Sequence, residues 1–187
     1  YGNSSVGSQQ ESTGVWDSDY AMVQHLEEAS GNVLDSTTNG NNGIPVGGVT
    51  YSAEGEADGA IQFDGSDDTI PTDVYPSDSD KTLEAWIKFN NFPTGEQDMT
   101  MGCNDQADHR FYVGYDEEAF FYGIGDTFQS TSDLAGVSEG EWVYFVLTGD
   151  GSNANFYVNG QLESTTTYSQ TGSSTDSFHI GSRTYGG

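Results

Sequence analysis

The sequence predicts an all-β protein built as a two-sheet antiparallel β-sandwich. Three observations lead there. Apolar runs are short, and the clearest alternates with polar residues; turn residues recur at intervals of about 8–12 residues; and no stretch keeps a long helical period. Composition agrees. Aromatic residues make up 13% of the 187 residues, too many for a disordered chain, and 25 glycines supply turns. The length suits one domain with a sizeable core.

Residues 1–15 open with "YGNSSVGSQQESTG", small and polar, and read as a linker or the tail of a preceding domain. Order is expected from Trp16 onward, so the sandwich is assigned to 16–187. "YAMVQHLEE" (20–28) alternates imperfectly; Gly31 would stop a helix early, which favours a strand. "AIQFDG" (60–65) is a short strand closed by Asp64-Gly65. "KTLEAWIKF" (81–89) alternates most clearly, with Leu83, Ala85, Ile87 and Phe89 on one face and Thr82, Glu84, Trp86 and Lys88 on the other. "RFYVGY" and "AFFYGIG" flank Asp116-Glu117-Glu118 as a hairpin. "EWVYFVLTG" (141–149) is apolar on both faces and predicts a central strand covered on both sides. "NFYVNGQLEST" holds Asn159-Gly160, the pair that a type I′ hairpin turn favours because both residues need positive φ. "SFHIGS" (177–182) is a last short strand. The expected core is Leu83, Ala85, Ile87, Phe89, Val143, Phe145 and Leu147. There is no internal repeat and no sign of a second domain.

Thirty acids face four bases (Lys81, Lys88, Arg110 and Arg183), a net charge of −26. That excludes nucleic acid and anionic membrane as partners, since both require basic patches. It also opposes compaction unless salt screens the repulsion; the Debye length falls to about 3 Å at 1 M salt. Scarce lysine with acids spread over the whole chain resembles the proteins of halophilic archaea and bacteria. An acidic secreted protein and a calcium-rich adhesin are the alternatives. The single Cys103 permits no internal disulfide. The chain opens on Tyr1 and has no apolar run of about 18 residues, so neither a signal peptide nor membrane insertion is expected, and the sequence reads as a piece of a larger multidomain protein.

Five stretches, in this order, resemble the concanavalin A-like, laminin G-like jelly-roll family: "DSTTNGNNG" (35–43), "GAIQFDGSDDTI", "KTLEAWIKF", "GEWVYFVLTGDGSNANFYVNGQ" and "FHIGS". They run from about Trp16 to Tyr185. The resemblance implies two packed antiparallel sheets, use as an extracellular or cell-surface binding and adhesion module, frequent carbohydrate ligands and a structural Ca²⁺. It also implies a further strand after "IGS" that pairs beside the first one; this sequence stops at "RTYGG" without the pattern of that strand, so either the strand lies outside this piece or the domain is completed some other way, and an open position would expose unpaired backbone groups.

Nine residues without an apolar side chain, "DSTTNGNNG", are more than a plain turn needs, and Asp35 suggests a hard cation. Ca²⁺ takes six to eight oxygens from carboxylates, carbonyls and water. "FDGSDDTI" supplies Asp64, Asp67 and Asp68. The resemblance implies that the two segments meet at one edge of the sandwich, giving Asp35, Asn41, Asp67 and Asp68 as expected ligands. The alternative is that these are ordinary polar turns. No EF-hand spacing is present, and His25, His109, His179 and Cys103 form no zinc motif.

The family's catalytic pattern E-x-D-x-x-E is missing. A non-catalytic carbohydrate-binding module is therefore the leading expectation, with a glycan or another cell-surface molecule as partner. A structural spacer without its own ligand is the alternative, and a glycoside hydrolase ranks below both. Sugar binding needs a ring to stack on and polar groups beside it. Trp86 and Trp142 lie in the strongest strands and read as core. Tyr51, Tyr75, Tyr115 and Tyr168 fall in or near loops. Tyr75, Tyr115 and Arg110 are the expected ligand-binding residues.

Overall fold

The computed structural model describes residues 14–57, 59–77, 80–92, 98–104, 110–116, 119–131, 137–170, 174–181 and 183–185. The expected linker at 1–15 lies almost wholly outside them, as do His109 and the Glu117-Glu118 turn. Thirteen strands and no α-helix are found among the described residues.

In chain order the strands are β1 (Thr50–Glu54), β2 (Gly59–Gln62), β3 (Ile70–Pro71), β4 (Asp80–Lys88), β5 (Asp98–Asn104), β6 (Arg110–Asp116), β7 (Ala119–Gly125), β8 (Thr127–Ser130), β9 (Trp142–Asp150), β10 (Asn153–Val158), β11 (Gln161–Thr167), β12 (His179–Ile180) and β13 (Arg183–Tyr185). One sheet has the order β11-β10-β9-β4. The other runs β3-β12-β5-β6-β7-β8, with β13 paired to β5 in parallel, and β1 and β2 form a small separate ladder. The two large sheets pack face to face as a β-sandwich, the class that the sequence predicts.

The long elements follow from their residues. β6 and β7 pair through to Asp116↔Ala119, the register of a hairpin. β10 and β11 close at Val158↔Gln161, and Asn159 and Gly160 take φ values of 47° and 79°, the double positive φ of the primed turn. β4 and β9 pair over nine residues, from Asp80↔Asp150 to Lys88↔Trp142.

Alternation then sorts the faces. Val143, Phe145 and Leu147 of β9 and Ala154, Phe156 and Val158 of β10 point inward and are buried. They meet Phe111, Val113 and Tyr115 of β6 and Phe120, Tyr122 and Ile124 of β7 in one core. Phe156 stacks on Tyr122 at 5.1 Å and packs beside Phe120 at 5.7 Å. The Tyr122 hydroxyl and Ser164 Oγ share a hydrogen bond of 2.9 Å, so its polar end is satisfied. Leu83 of β4 is buried as expected, whereas Ala85, Ile87 and Phe89 are only half-buried against the core, because β4 is an edge strand of its sheet. Lys81 shares their inward face. Its Nζ sits 5.0 Å from the centroid of the Phe111 ring and donates to Gln170 Oε1.

Two expectations are corrected. Residues 20–28 form no strand: the segment makes one isolated bridge, Gln24↔Asp35, and Leu26 has a φ of 59° that breaks extended pairing. And β9 is not covered on both sides; outward Trp142, Tyr144, Val146 and Thr148 stay half-exposed, with no third layer over them among the described residues.

Candidate functional site

The two loops that carry the expected metal ligands are seated against different parts of the chain. Residues 35–43 fold back on 20–24, while 64–68 lies beside 46–48. Asp35 is the hub of the first loop. Its Oδ1 accepts the backbone N–H of Val23 at 3.0 Å and of Thr37 at 2.9 Å; its Oδ2 accepts the Thr37 hydroxyl at 2.8 Å and the Asn41 N–H at 2.9 Å. Partial burial pushes its pKa up, but these bonds to the ionised form outweigh it and hold the carboxyl below the usual 3.8. The asparagines tie down the rim. Asn39 Nδ2 donates to the Tyr20 and Ala21 carbonyls, Asn41 Nδ2 donates to Ala21 O at 2.8 Å, and Asn42 Oδ1 accepts the Asp35 N–H at 2.8 Å. The loop is thus organised by a carboxylate and side-chain amides, and the polar run asked about in the sequence has a structural explanation without a cation. Asp35, expected as a ligand, spends both carboxylate oxygens on this network, and Asn41, expected beside it, gives the network its N–H and its Nδ2.

The second loop is different. Asp64, Asp67 and Asp68 bring one carboxylate oxygen each within 4.8 Å of one another. Asp68 is buried, 7% exposed, and its Oδ2 accepts the Asp64 N–H at 2.9 Å. Asp64 Oδ1 accepts the Ser66 N–H at 2.8 Å. Asp67 has no hydrogen-bond donor among the described residues. The chain opposite is shaped around this group: a Cβ on Gly47 would lie 2.5 Å from the Asp67 carbonyl oxygen and 2.6 Å from Asp68 Oδ1, and Gly47 has a φ of 96°. Three convergent carboxylates with spare oxygens beside a side-chain-free backbone fit a hard cation such as Ca²⁺. Asp67 and Asp68 belong to this group together with Asp64, and Asp35 and Asn41 do not.

Of the residues expected to meet a ligand, Tyr75 is exposed at 51%. Tyr115 is corrected: it is 3% exposed on inward-facing β6, stacked on Phe92 at 4.9 Å and against Phe89 at 4.7 Å, and offers no ring face. Arg110 begins β6, and its Nη1 donates to the Asp126 carbonyl at 3.0 Å. Tyr168 is buried and Tyr51 donates its hydroxyl to Gly31 O.

A different aromatic group lies in the open. Trp86, read from the sequence as core, is 46% exposed on the outer face of the four-stranded sheet. Its cross-strand partner Tyr144 lies with ring centroids 5.2 Å apart at 37°. The Tyr144 hydroxyl donates to Glu84 Oε2 at 2.6 Å. Burial first, and then the Glu84 bond and charge, push the Tyr144 hydroxyl up to about 12. One step along, Lys88 Nζ sits 4.9 Å from the Trp142 ring. The signal was present in the sequence: Glu84 and Lys88 share the face of Trp86, and two charges on one face of a strand mark it as open to water.

The model of the concanavalin A-like lectin/glucanase superfamily matches residues 64–187, more than half of the chain. No curated protein matches the sequence. Among solved structures, domain 4 of AbnA, a GH43 extracellular arabinanase from Geobacillus stearothermophilus, in complex with arabinotriose, superposes with a TM-score of 0.60 at 18% identity. The match covers 81% of this chain and 79% of that one. Carbohydrate-binding module CBM66 from Bacillus subtilis gives 0.46 at 14% identity, over 74% and 86%. A glycosyl hydrolase family protein from Mycobacterium fortuitum gives 0.42 at 13%, over 81% and 68%. At such identities the first of these is a likeness of fold.

Proposed function

Because the chain belongs to the concanavalin A-like lectin/glucanase superfamily, we propose that it is a non-catalytic carbohydrate-binding module of a larger extracellular or cell-surface protein. It holds a structural Ca²⁺ at Asp64, Asp67 and Asp68 and is built to work in high salt. In this reading a sugar is held by stacking and hydrogen bonds, and no bond is broken. The arabinotriose in the similarly folded arabinanase domain supports the ligand class.

The observation that carries the non-catalytic half is how the strands distribute their acids. Glycoside hydrolysis needs two carboxyls about 5–9.5 Å apart across the scissile bond, one of them with a raised pKa. Asp80 and Glu84 share a face of β4, but four residues of strand separate them by about 13 Å. Asp80 and Asp150 face each other across β4 and β9, which is close enough. Asp150, however, caps a turn, accepting the N–H groups of Asn153 at 2.6 Å and Ser152 at 3.0 Å, and those bonds lower its pKa. Its carboxylate is committed to capping this turn, and a role at a scissile bond would have to compete with those backbone N–H groups.

A glycan array read in molar salt, paired with a reducing-sugar release assay on every glycan that binds, tests the reading. Binding without release is the expected result. Release would make the domain an enzyme, and silence on the whole array would leave it a spacer.

A further inference from the structure

We propose that the outer face of the four-stranded sheet around Trp86 and Tyr144 is the glycan-contact surface and that it selects neutral glycans, a step that rests on the carbohydrate-binding reading above. An indole that is 46% exposed, with a second ring 5.2 Å from it, is an apolar surface that water does not favour, and contiguous patches of this kind mark interaction sites. The apolar C–H face of a sugar ring covers such rings, while its edge hydroxyls need acceptors close by. Glu84 supplies one. Tyr144 holds Glu84 Oε2, which fixes the carboxylate beside the rings and leaves Oε1 to accept from a sugar hydroxyl.

Charge decides the ligand class. Three successive cross-strand pairs of β4 and β9, Glu84↔Val146, Trp86↔Tyr144 and Lys88↔Trp142, present three aromatic rings, one valine, one acid and one base. Their net charge is zero, in a chain whose net charge is −26. Further acids on this face, Asp80 and Asp150, stand at its far end. A polyanionic glycan would be repelled by the molecule as a whole, and a cationic ligand would be drawn to the acids elsewhere. A second copy would have to bring two such charges together. A neutral polyol fits, and its stacking is not screened by salt as an ion pair is. Among the described residues the outer face of the other large sheet opens one ring, Phe128 on edge strand β8 at 42%, and its neighbours Phe121 and Tyr112, 1% and 2% exposed, give it no second open ring.

Calorimetric titrations in molar NaCl, with neutral arabinan and neutral β-glucan as one arm and anionic alginate as the other, test this. The expected result is that the wild type binds a neutral glycan and that Trp86→Ala weakens binding about tenfold or more. Glu84→Gln should weaken it less, and Trp86→Phe, which keeps a ring, should recover part of the loss. Melting curves of Trp86→Ala should stay close to wild type, since the residue is half exposed, so that lost binding is not lost fold. Neutral-glycan binding that survives Trp86→Ala but is lost in Tyr75→Ala or Arg110→Ala would move the site and overturn the inference, while leaving a carbohydrate-binding module. Binding of alginate alone would overturn the ligand class in the same way. No binding in either arm, or a change of oligomeric state in Trp86→Ala without any glycan bound, would overturn both readings.

Discussion

Two loops of this domain are built around the same acid, one Asp in the first and three in the second, and differ in what satisfies it. In the 35–43 loop one carboxylate meets four donors from the protein; in the 64–68 loop three carboxylates converge on few. The first is a finished structure, its negative charge spent on ordering nine residues that have no apolar anchor. The second is a concentration of like charge that a cation would complete. The presence of an Asp does not by itself distinguish a structural loop from a metal site. The ratio of N–H and O–H donors to carboxylate oxygens does.

The largest expected effect breaks the first loop. Asp35→Ala removes four hydrogen bonds to an ionised group at once. Because water reaches this half-buried site, we expect about 2–3 kcal/mol of destabilisation rather than the sum of four bonds. Urea unfolding in molar salt measures it, and a loss under about 0.5 kcal/mol would mean that the loop does not depend on its hub. The next effect completes the second loop. A ligand that binds only the folded state adds about 2.7 kcal/mol at a hundredfold excess over Kd. Calcium should therefore raise the melting temperature at fixed ionic strength, and chelator should reverse it. Asp68→Ala should remove that response and Asp35→Ala should retain it on a lower baseline. Gly47→Ala should also remove it, because the new Cβ would occupy the space beside Asp68 Oδ1. If Asp35→Ala abolishes the calcium response instead, the two loops share one site.

Much of the fold was legible because it is carried by long alternating strands. β4, the β6–β7 hairpin, β9 and the Asn159-Gly160 turn each show a local pattern that no tertiary contact has to supply. β5 is not of that kind: "DMTMGCN" has no clean alternation, and its Gly102 exists to let Tyr112 cross it, since a Cβ there would fall 2.1 Å from Tyr112 Cβ. Only the paired strand explains that glycine. β1 and β13 are short and polar, and the bonds that select them are long-range. The sites were half legible for a related reason. Asp67 and Asp68 stand out in any reading, but the exclusion of Asp35 requires knowing that Val23, twelve residues earlier, donates to it. Likewise, a strand that is apolar on both sides does not say which side will be covered. On β9 only one is, and the aromatic residues on the other became the open face.

Acid should separate the loops further. The Asp35 carboxyl is held below 3.8 in the folded protein, so the unfolded chain takes up its proton first. Its stabilising contribution is therefore complete above the unfolded value and is lost as pH falls through the lower folded value. The stability gap between wild type and Asp35→Asn should be constant near neutral pH and should close below pH 3.8. This is a smaller effect than the loss of the whole hub, and denaturant midpoints measured across the acid range resolve it. A gap that stays open at the lowest pH would show that the hydrogen bonds survive protonation and that the charge of Asp35 is not what orders the loop.

The smallest effect has the most diagnostic sign. Asp67 is exposed, has no donor among the described residues and lies within 4.8 Å of two other carboxylate oxygens, so in the absence of a cation its charge works against the folded loop. Near water's dielectric, one such repulsion is worth about 0.5–1 kcal/mol. With chelator in dilute salt, Asp67→Asn should stabilise the domain by about 0.5 kcal/mol. Raising the salt toward molar should erase the gain, as the Debye length shrinks below the carboxylate spacing. Wild type should itself gain stability over the same series as its −26 charge is screened. With calcium present the sign should invert, because the substitution then removes a ligand. Asp35→Asn, by contrast, should destabilise in every one of these solutions. The same chemical change in two loops would thus give opposite signs in chelator and the same sign in calcium. If Asp67→Asn destabilises in chelator too, the second loop is held by its own hydrogen bonds as the first is, and it is not a metal site.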